Sequence, residues 1–410
     1  MNNTIRMFWA IELQFQSPVH VGAGSSDAYM GAANIVKNGA GEYVIPGSSL
    51  AGLFFAGMRC SAKRGADDKS LFNKIMSEES QNAQDASHLM FRTISLKPRM
   101  TLLRDRVRIN PETKTAADKA KFAQWEILPE NTIMLLELDN VSKKDNALTE
   151  DEVLKVTTWI NQVLASWYHE GFFMGAYSAV GNGYTQVVSA KTCTLTRDNY
   201  KEYRKSSYDG LSNSNMGWDV LPLKTINDFN RTYSKRYKIT LKTGLHDPLL
   251  IKGNSFYPSH TNPDTDAPFI HRDGTIFIPG SSIRGAIGAF MKKYGILAWA
   301  ELTGQATSDP TISSIKFTDL LSQGSLNPIQ IEHHAEDQLS RAIFGGGKFD
   351  EERVFDTIFQ GEILVSKAFQ THDDDKLQQI FEFLASGMKF RQISLGAGAA
   401  HPEMSIEEVK

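Results

Sequence analysis

The chain carries one motif twice, which constrains its fold more than any other feature. YVIPGSSLAG, with Ile45-Pro46-Gly47-Ser48-Ser49, returns as IFIPGSSIRG, with Ile278-Pro279-Gly280-Ser281-Ser282. About thirty residues before each copy lies a matching segment, and a fixed offset between matching segments marks an internal repeat. The first is Ser17-Pro18-Val19-His20-Val21-Gly22-Ala23-Gly24 and the second Asp247-Pro248-Leu249-Leu250-Ile251-Lys252-Gly253-Asn254. Each follows an alternating, strand-like run, IELQFQ or YKITLKTGLH,. Each IPGSS opens an apolar run of helical period, and each half closes with a helix-like segment, glycines and a last strand,. The order predicts an α+β chain of two tandem ferredoxin-like (RRM-like, βαββαβ) domains with large insertions. The expected boundaries are 1–195 and 231–410. The polar, Ser- and Asn-rich stretch 196–230 is read as a linker or extended arm, because so long a structureless loop is unusual inside one domain,. The second glycine loop, LGAGAAHPEM, leaves little room for a full last strand.

A length of 410 residues suits two domains of ordinary size,. No apolar stretch is long enough for a membrane helix, and the N-terminus lacks a signal-peptide layout, so a cytoplasmic protein is expected,. Two cysteines, Cys60 and Cys193, are too few for a disulfide framework or a cysteine zinc site,. The net charge of −3 counts against a generic nucleic-acid binder,. The charge is uneven, however. Arg99, Arg104, Arg106 and Arg108 form one basic cluster, Arg231 to Lys242 another, and Asp373-Asp374-Asp375 an acidic run. Alone, each cluster reads as a solvated face.

In Pro-Gly-Ser-Ser the proline ends a strand and the glycine permits a turn. The first serine can cap the following helix, and the helix-start amides suit a phosphate. A plain N-cap turn is the default for such a motif. Arg284 strengthens the phosphate reading in the second half, where the first half has Ala51. The glycine loops Gly175–Gly183 and Leu395–Gly398 do not match a nucleotide-hydrolysing P-loop,. Repeated glycines let backbone amides approach a ligand. The segment Asp264–Asp273 gathers acidic groups, His271 and Arg272 ahead of a strand. A carboxylate there can activate a ribose 2′-hydroxyl or hold a metal ion beside a phosphate, although a solvated turn has the larger share.

These elements together resemble the RAMP superfamily of CRISPR proteins, most closely the backbone subunits of type III effector complexes. The resemblance rests on DAPFIHRDGTIFIPGSSIRG, Asp266 to Gly285, and on VHVGAG and YVIPGSSLAG in the first half. The insertions LLRDRVRIN to LLEL and EDQLSRAIFGGGKFD to GEIL, and the loop VGNGYTQV, extend it over most of the chain except 192–232. It implies a subunit that holds a guide–target RNA duplex, with thumb-like hairpins formed by the insertions. Its partners would be CRISPR guide RNA, target RNA and other subunits of the complex, with no membrane. The implied RNA contacts are Lys37, Gly47, Ser48, Ser49, Gly181, Asn182, Gly183, His271, Arg272, Gly280, Ser281, Ser282, Arg284, Gly396 and Gly398. Asp266 falls on the position of the target-cleaving aspartate and of a divalent metal, expected to be Mg²⁺. The first half has Ala32 there, and Asp27 is the nearby carboxylate. Alternatives are an architectural capping subunit without catalysis, a guide-processing RAMP endoribonuclease leaning on His20 or His271, and an unrelated RRM-like RNA-binding protein. The missing RNP aromatic signature argues against the last.

Overall fold

The computed structural model describes residues 6–26, 31–61, 66–76, 87–109, 116–139, 147–206, 211–213, 215–253, 265–272, 274–304, 313–324, 328–336, 343–366, 374–396 and 400–409. Asp27, Asp264, Asp273 and Gly398 lie outside the described residues.

The fold is mixed α+β with two core sheets. In the first, strand Arg6–Phe15 lies between Tyr184–Leu195 and Thr132–Asp139, with Leu89–Phe91 beyond the latter, all antiparallel. In the second, Tyr233–Lys242 lies between Glu403–Val409 and Ile358–Ser366, with Ile315–Phe317 and Leu320–Ser322 beyond the latter. Counted along each half, both sheets run fourth, first, third, second strand. That order is compatible with a ferredoxin-like fold. The strand Glu403–Val409 pairs with Tyr233–Lys242 from Lys242↔Glu403 to Arg236↔Val409. This corrects the expectation of little room for a last strand: the short loop suffices because the strand begins directly after it.

Alternation builds the first core. Trp9, Ile11 and Leu13 are fully buried on one face of their strand, as period-two side-chain direction requires. Helix Glu150–Glu170 packs on that face through Val156, Trp159, Ile160, Val163, Leu164 and Trp167. Its start carries a capping box, with Thr149 and Glu152 each accepting from the other's backbone amide,. Helix Gly47–Ser61 crosses it where Gly57 faces Val163. The second core repeats the scheme, with Ile239 and Leu241 under helices Gly280–Lys293 and Asp374–Lys389. Gly387 there faces the ring of Phe290.

Each half also projects a two-stranded ribbon. Pro98–Ile109 pairs with Ala116–Pro129 in the first half, and Ile329–Glu336 with Ile343–Arg353 in the second. Leu102 of the first ribbon is buried in the second core, so the ribbon ties the halves together.

The 196–230 stretch holds helix Tyr200–Lys205 and a short strand, Asp219–Val220, paired to the edge of the first sheet. Leu211 and Met216, with Tyr203 and Trp218 against them, cover the outer face of that sheet at Phe8 and Cys193. Burial, helped by Asp219, pushes the Cys193 thiol up to about 11, so it stays a protonated packing group,.

Lys316, on Ile315–Phe317, rests its ammonium 4.5 Å above the Phe173 ring of the first half. Burial pulls its pKa down to about 8. The folded state therefore binds fewer protons than the unfolded chain between that value and the ordinary lysine range. Stability contributed through this group rises with pH across the window. Urea unfolding at about pH 7.5 and pH 10 should show a smaller rise for Lys316→Met than for the wild type. An equal rise in both would show that Lys316 does not titrate there.

Candidate nucleic-acid interface

The two IPGSS turns are built alike. Ser49 and Leu50 donate their amides to the Pro46 carbonyl, as Ser282 and Ile283 donate to Pro279. Gly47 faces the Phe91 carbonyl and Gly280 the Phe317 carbonyl, so a Cβ at Gly47 or Gly280 would lie 2.1 or 2.5 Å from that oxygen. Close approach of a neighbouring strand, more than φ, calls for glycine here. The serine cap expected at the second turn is replaced. Asp319 accepts from the Gly280 amide at 2.9 Å, and Pro279 at the cap position makes no side-chain cap bond. Thr93 does the same for Gly47 at 3.3 Å. A carboxylate arriving from the next strand outcompetes a local serine because it is charged and complements the helix dipole. Ser48 and Ser49 are exposed, and Ser281 and Ser282 half-buried.

Arg284 donates to the Thr303 carbonyl at 2.6 Å, and burial lowers its pKa. It lines a groove with Ser281, Gly288, Lys292 and Trp299, and Val180 of the first half lines it as well. Lys37 is exposed, its ammonium 4.7 Å above the Tyr43 ring.

The first glycine loop packs onto the second half. Gly181, at φ +97°, faces the Phe317 carbonyl and Asp319, while Gly183, at φ +73°, faces the Met174 carbonyl. Ser17 donates to the Gly181 carbonyl at 2.6 Å and accepts from the Tyr184 amide. Asn182 is buried, accepting from Arg104 and Arg106 and donating to Glu126 at 2.7 Å. Glu126 also lies 3.0 Å from Arg106 and 3.5 Å from Arg104. Burial raises its pKa, but the two guanidiniums and the bonds from Asn182 and Gln124 outweigh burial, leaving it below the usual carboxylate range. Burial and neighbouring Arg104 lower the pKa of Arg106. Within the second half, Arg272 pairs with Asp319 at 3.0 Å, and both Arg272 and, from the first half, Arg104 lie against the Phe277 ring. Arg272, Asn182, Gly181 and Gly280 thus converge where the halves meet. Gly396 lies elsewhere, facing the Leu250 carbonyl as Gly175 faces that of His20.

Asp266 is exposed at the base of the second ribbon. Its amide donates to Asp350 at 2.9 Å, and its carboxylate accepts from the Asp350 amide at 3.1 Å. The Asp266 amide, with Gln330, holds Asp350 below the usual carboxylate range. Among the described residues, no three His, Cys, Asp or Glu side chains converge as a metal site. His271 is buried, and His20 bonds the Trp125 carbonyl through Nδ1.

Sheet register ties Asp266 to Ala32. Ala267 bridges Glu351 in parallel and Ala33 bridges Gln124 in parallel, while Leu249↔Val354 matches Val19↔Ile127. Ala32 is fully buried, and Ala123 stands where the second half has Asp350.

Each ribbon carries an exposed aromatic ring that the sequence reading did not single out. Phe122, 46% exposed, stacks on Tyr177, which lies over Arg106. Phe349, 47% exposed, stacks on His333. The shared Lys-Phe pairs, Lys121-Phe122 and Lys348-Phe349, were the available signal.

The geometry defines a protein of mixed α+β fold with doubled proline–glycine–serine turns, ribbons and glycine loops. Residues 12–185 match the family model described as RAMP superfamily. No curated protein matches the chain. No helix among the described residues is long and apolar enough to cross a membrane.

Proposed function

We propose that the chain is a tandem RAMP backbone subunit of a type III CRISPR effector, with domains 1–195 and 231–410 joined by the packed arm 196–230. It holds a guide–target RNA duplex and cuts the target once, at Asp266. The observation that carries this reading is the register equivalence of the halves, with an exposed carboxylate at Asp266 and a buried alanine at the matching position. Sequence reading is left to the guide, so protein contacts fall on phosphates and 2′-hydroxyls. In the cut, the 2′-oxygen attacks the adjacent phosphorus while Asp266 takes its proton. The bond to the 5′-oxygen breaks, and that oxygen takes a proton from water. The products are a 2′,3′-cyclic phosphate and a 5′-hydroxyl. Asp266 offers the donor set that hydrated Mg²⁺ uses, a carboxylate completed by water and RNA phosphate, and the ion would supply charge neutralisation at the phosphate.

The test assembles the complex with Asp266→Ala, Asp27→Ala or both, and maps cuts on a labelled complementary RNA. Asp266→Ala should slow one cut by about a hundredfold or more with affinity kept. An unchanged cut pattern overturns the assignment and leaves an architectural subunit. A separate cut lost with Asp27→Ala would make the first half active as well.

A further inference from the structure

We propose, independently of the RNA reading above, that the outer edge of strand Glu403–Val409 takes up an extended, basic segment of a partner protein as a further strand. The last strands of the two halves correspond residue by residue. Leu13 faces Val187 as Leu241 faces Met404, Ile11 faces Ala190 as Ile239 faces Ile406, and Phe8 faces Cys193 as Arg236 faces Val409. In the first half the outer edge of this strand is covered. Phe172–Phe173 pairs with its start, and Asp219–Val220 of the arm pairs with Thr192 and Lys191. The Leu221 amide donates to the Ala190 carbonyl at 2.9 Å. Cys193 is buried and donates to the Met216 carbonyl. In the second half, no strand among the described residues pairs with the outer side of Glu403–Val409. Ile406 stands in the place of Ala190, so its outward backbone groups are offered to an incoming strand. Val409 stands in the place of Cys193 and is 45% exposed.

The edge also sets the chemistry of its occupant. In the first half, Lys191 and Thr192 meet Val220 and Asp219. The matching positions in the second half are Glu407 and Glu408, both exposed. Alternation sends Glu407 to one face of the sheet and Glu408 to the other, so the edge is acidic on both sides. Lys238 stands across from Glu407 on the inner side, and the uncharged Tyr237 across from Glu408. Opposite charges stabilise a strand pair and like charges destabilise it. The anionic backbone of RNA is therefore a poor occupant. So is the same strand of a second copy, which would bring two acidic edges together. Charge alone is enough to keep an edge from pairing with itself. It does not account for an exposed valine where the first half buries a cysteine. The arm supplies the template. Trp218-Asp219-Val220-Leu221 runs antiparallel along the first edge, with Trp218 packed against the Cys193 cluster and Leu221 against the core. The complementary segment reads apolar, basic, basic, apolar. Its first residue covers Val409, the two bases face Glu408 and Glu407, and the last donates its amide to the Ile406 carbonyl, a strand addition.

The experiment measures fluorescence anisotropy of the full chain with three labelled peptides. One carries Trp-Lys-Lys-Leu at its centre and the second Trp-Asp-Asp-Leu. The third is the lysine peptide N-methylated at the leucine, which removes the amide that would donate to Ile406. The wild type should bind the lysine peptide roughly tenfold more tightly than the aspartate peptide, and Glu407→Lys/Glu408→Lys should reverse that preference. N-methylation should weaken binding to the wild type roughly tenfold, with no change made to the protein. Equal binding of the methylated and unmethylated peptides would show attraction by charge alone and overturn the added strand. No binding of the lysine peptide to the wild type, or a preference that survives the charge reversal, overturns the site. Self-association of the wild type that Glu407→Lys/Glu408→Lys abolishes would give the edge to a second copy and overturn the proposal as well.

Discussion

Glu126→Ala is expected to destabilise the protein by about 3–5 kcal/mol, the cost of leaving a buried charge without its partner. Glu126 is fully buried and sits between Arg104 and Arg106, which are buried as well. Two cations share one carboxylate, so its removal leaves both guanidiniums facing each other in a medium that screens poorly. Asn182 and Gln124, which donate to Glu126, lose their acceptor at the same time. Glu126→Gln keeps the shape and one acceptor oxygen and should cost less. The readout is the urea midpoint at neutral pH. A loss under about 1 kcal/mol would show that water or local rearrangement already screens the pair. Because Asn182 belongs to the loop packed on the second half, unfolding should also turn less cooperative as the seam loosens.

Gly280→Ala is expected to cost about 3 kcal/mol, at the upper end for overpacking. The added carbon would lie 2.5 Å from the Phe317 carbonyl oxygen, 2.8 Å from that of Val180 and 3.0 Å from that of Thr318. All three are backbone atoms, and Val180 belongs to the other half. Neither a rotamer change nor a small shift of one element relieves all of them. Gly285, in the same helix, has nothing within 4 Å of its Cβ position. Gly285→Ala should therefore stabilise by about 0.5–1 kcal/mol, the helix-propensity gain alone. Opposite signs for two glycine substitutions five residues apart would isolate close approach as the cause. Equal signs would discard it.

Gly280 shows how a correct motif can be read for an incomplete reason. Pro-Gly-Ser-Ser is legible as a strand end, turn and helix start, and the structure has all three. The serine cap is local reasoning, and it fails because Asp319 reaches the Gly280 amide from 39 residues away. The arm 196–230 misled in a similar way. Its polar composition hides Leu211, Met216 and Trp218, too widely spaced for a helical or strand period yet sufficient to cover one sheet face. Phe122 and Phe349 lay within a shared Lys-Phe pair, but their places opposite Arg106 and His333 depended on the ribbon register.

By itself the sequence carried the repeated IPGSS motif and the alternating and helical periods that lay out the strands and helices. Those are periodic or local properties, carried by side-chain alternation and by residues near in the chain. Tertiary structure alone decided that Arg104 and Arg106 surround Glu126 and Asn182, that Asp319 joins Arg272 to Gly280, and that the first glycine loop packs against the second turn. Each of these joins charged or polar groups far apart in sequence. Their partners are chosen by desolvation, since a buried charge must find an opposite one wherever the packed sheets bring it.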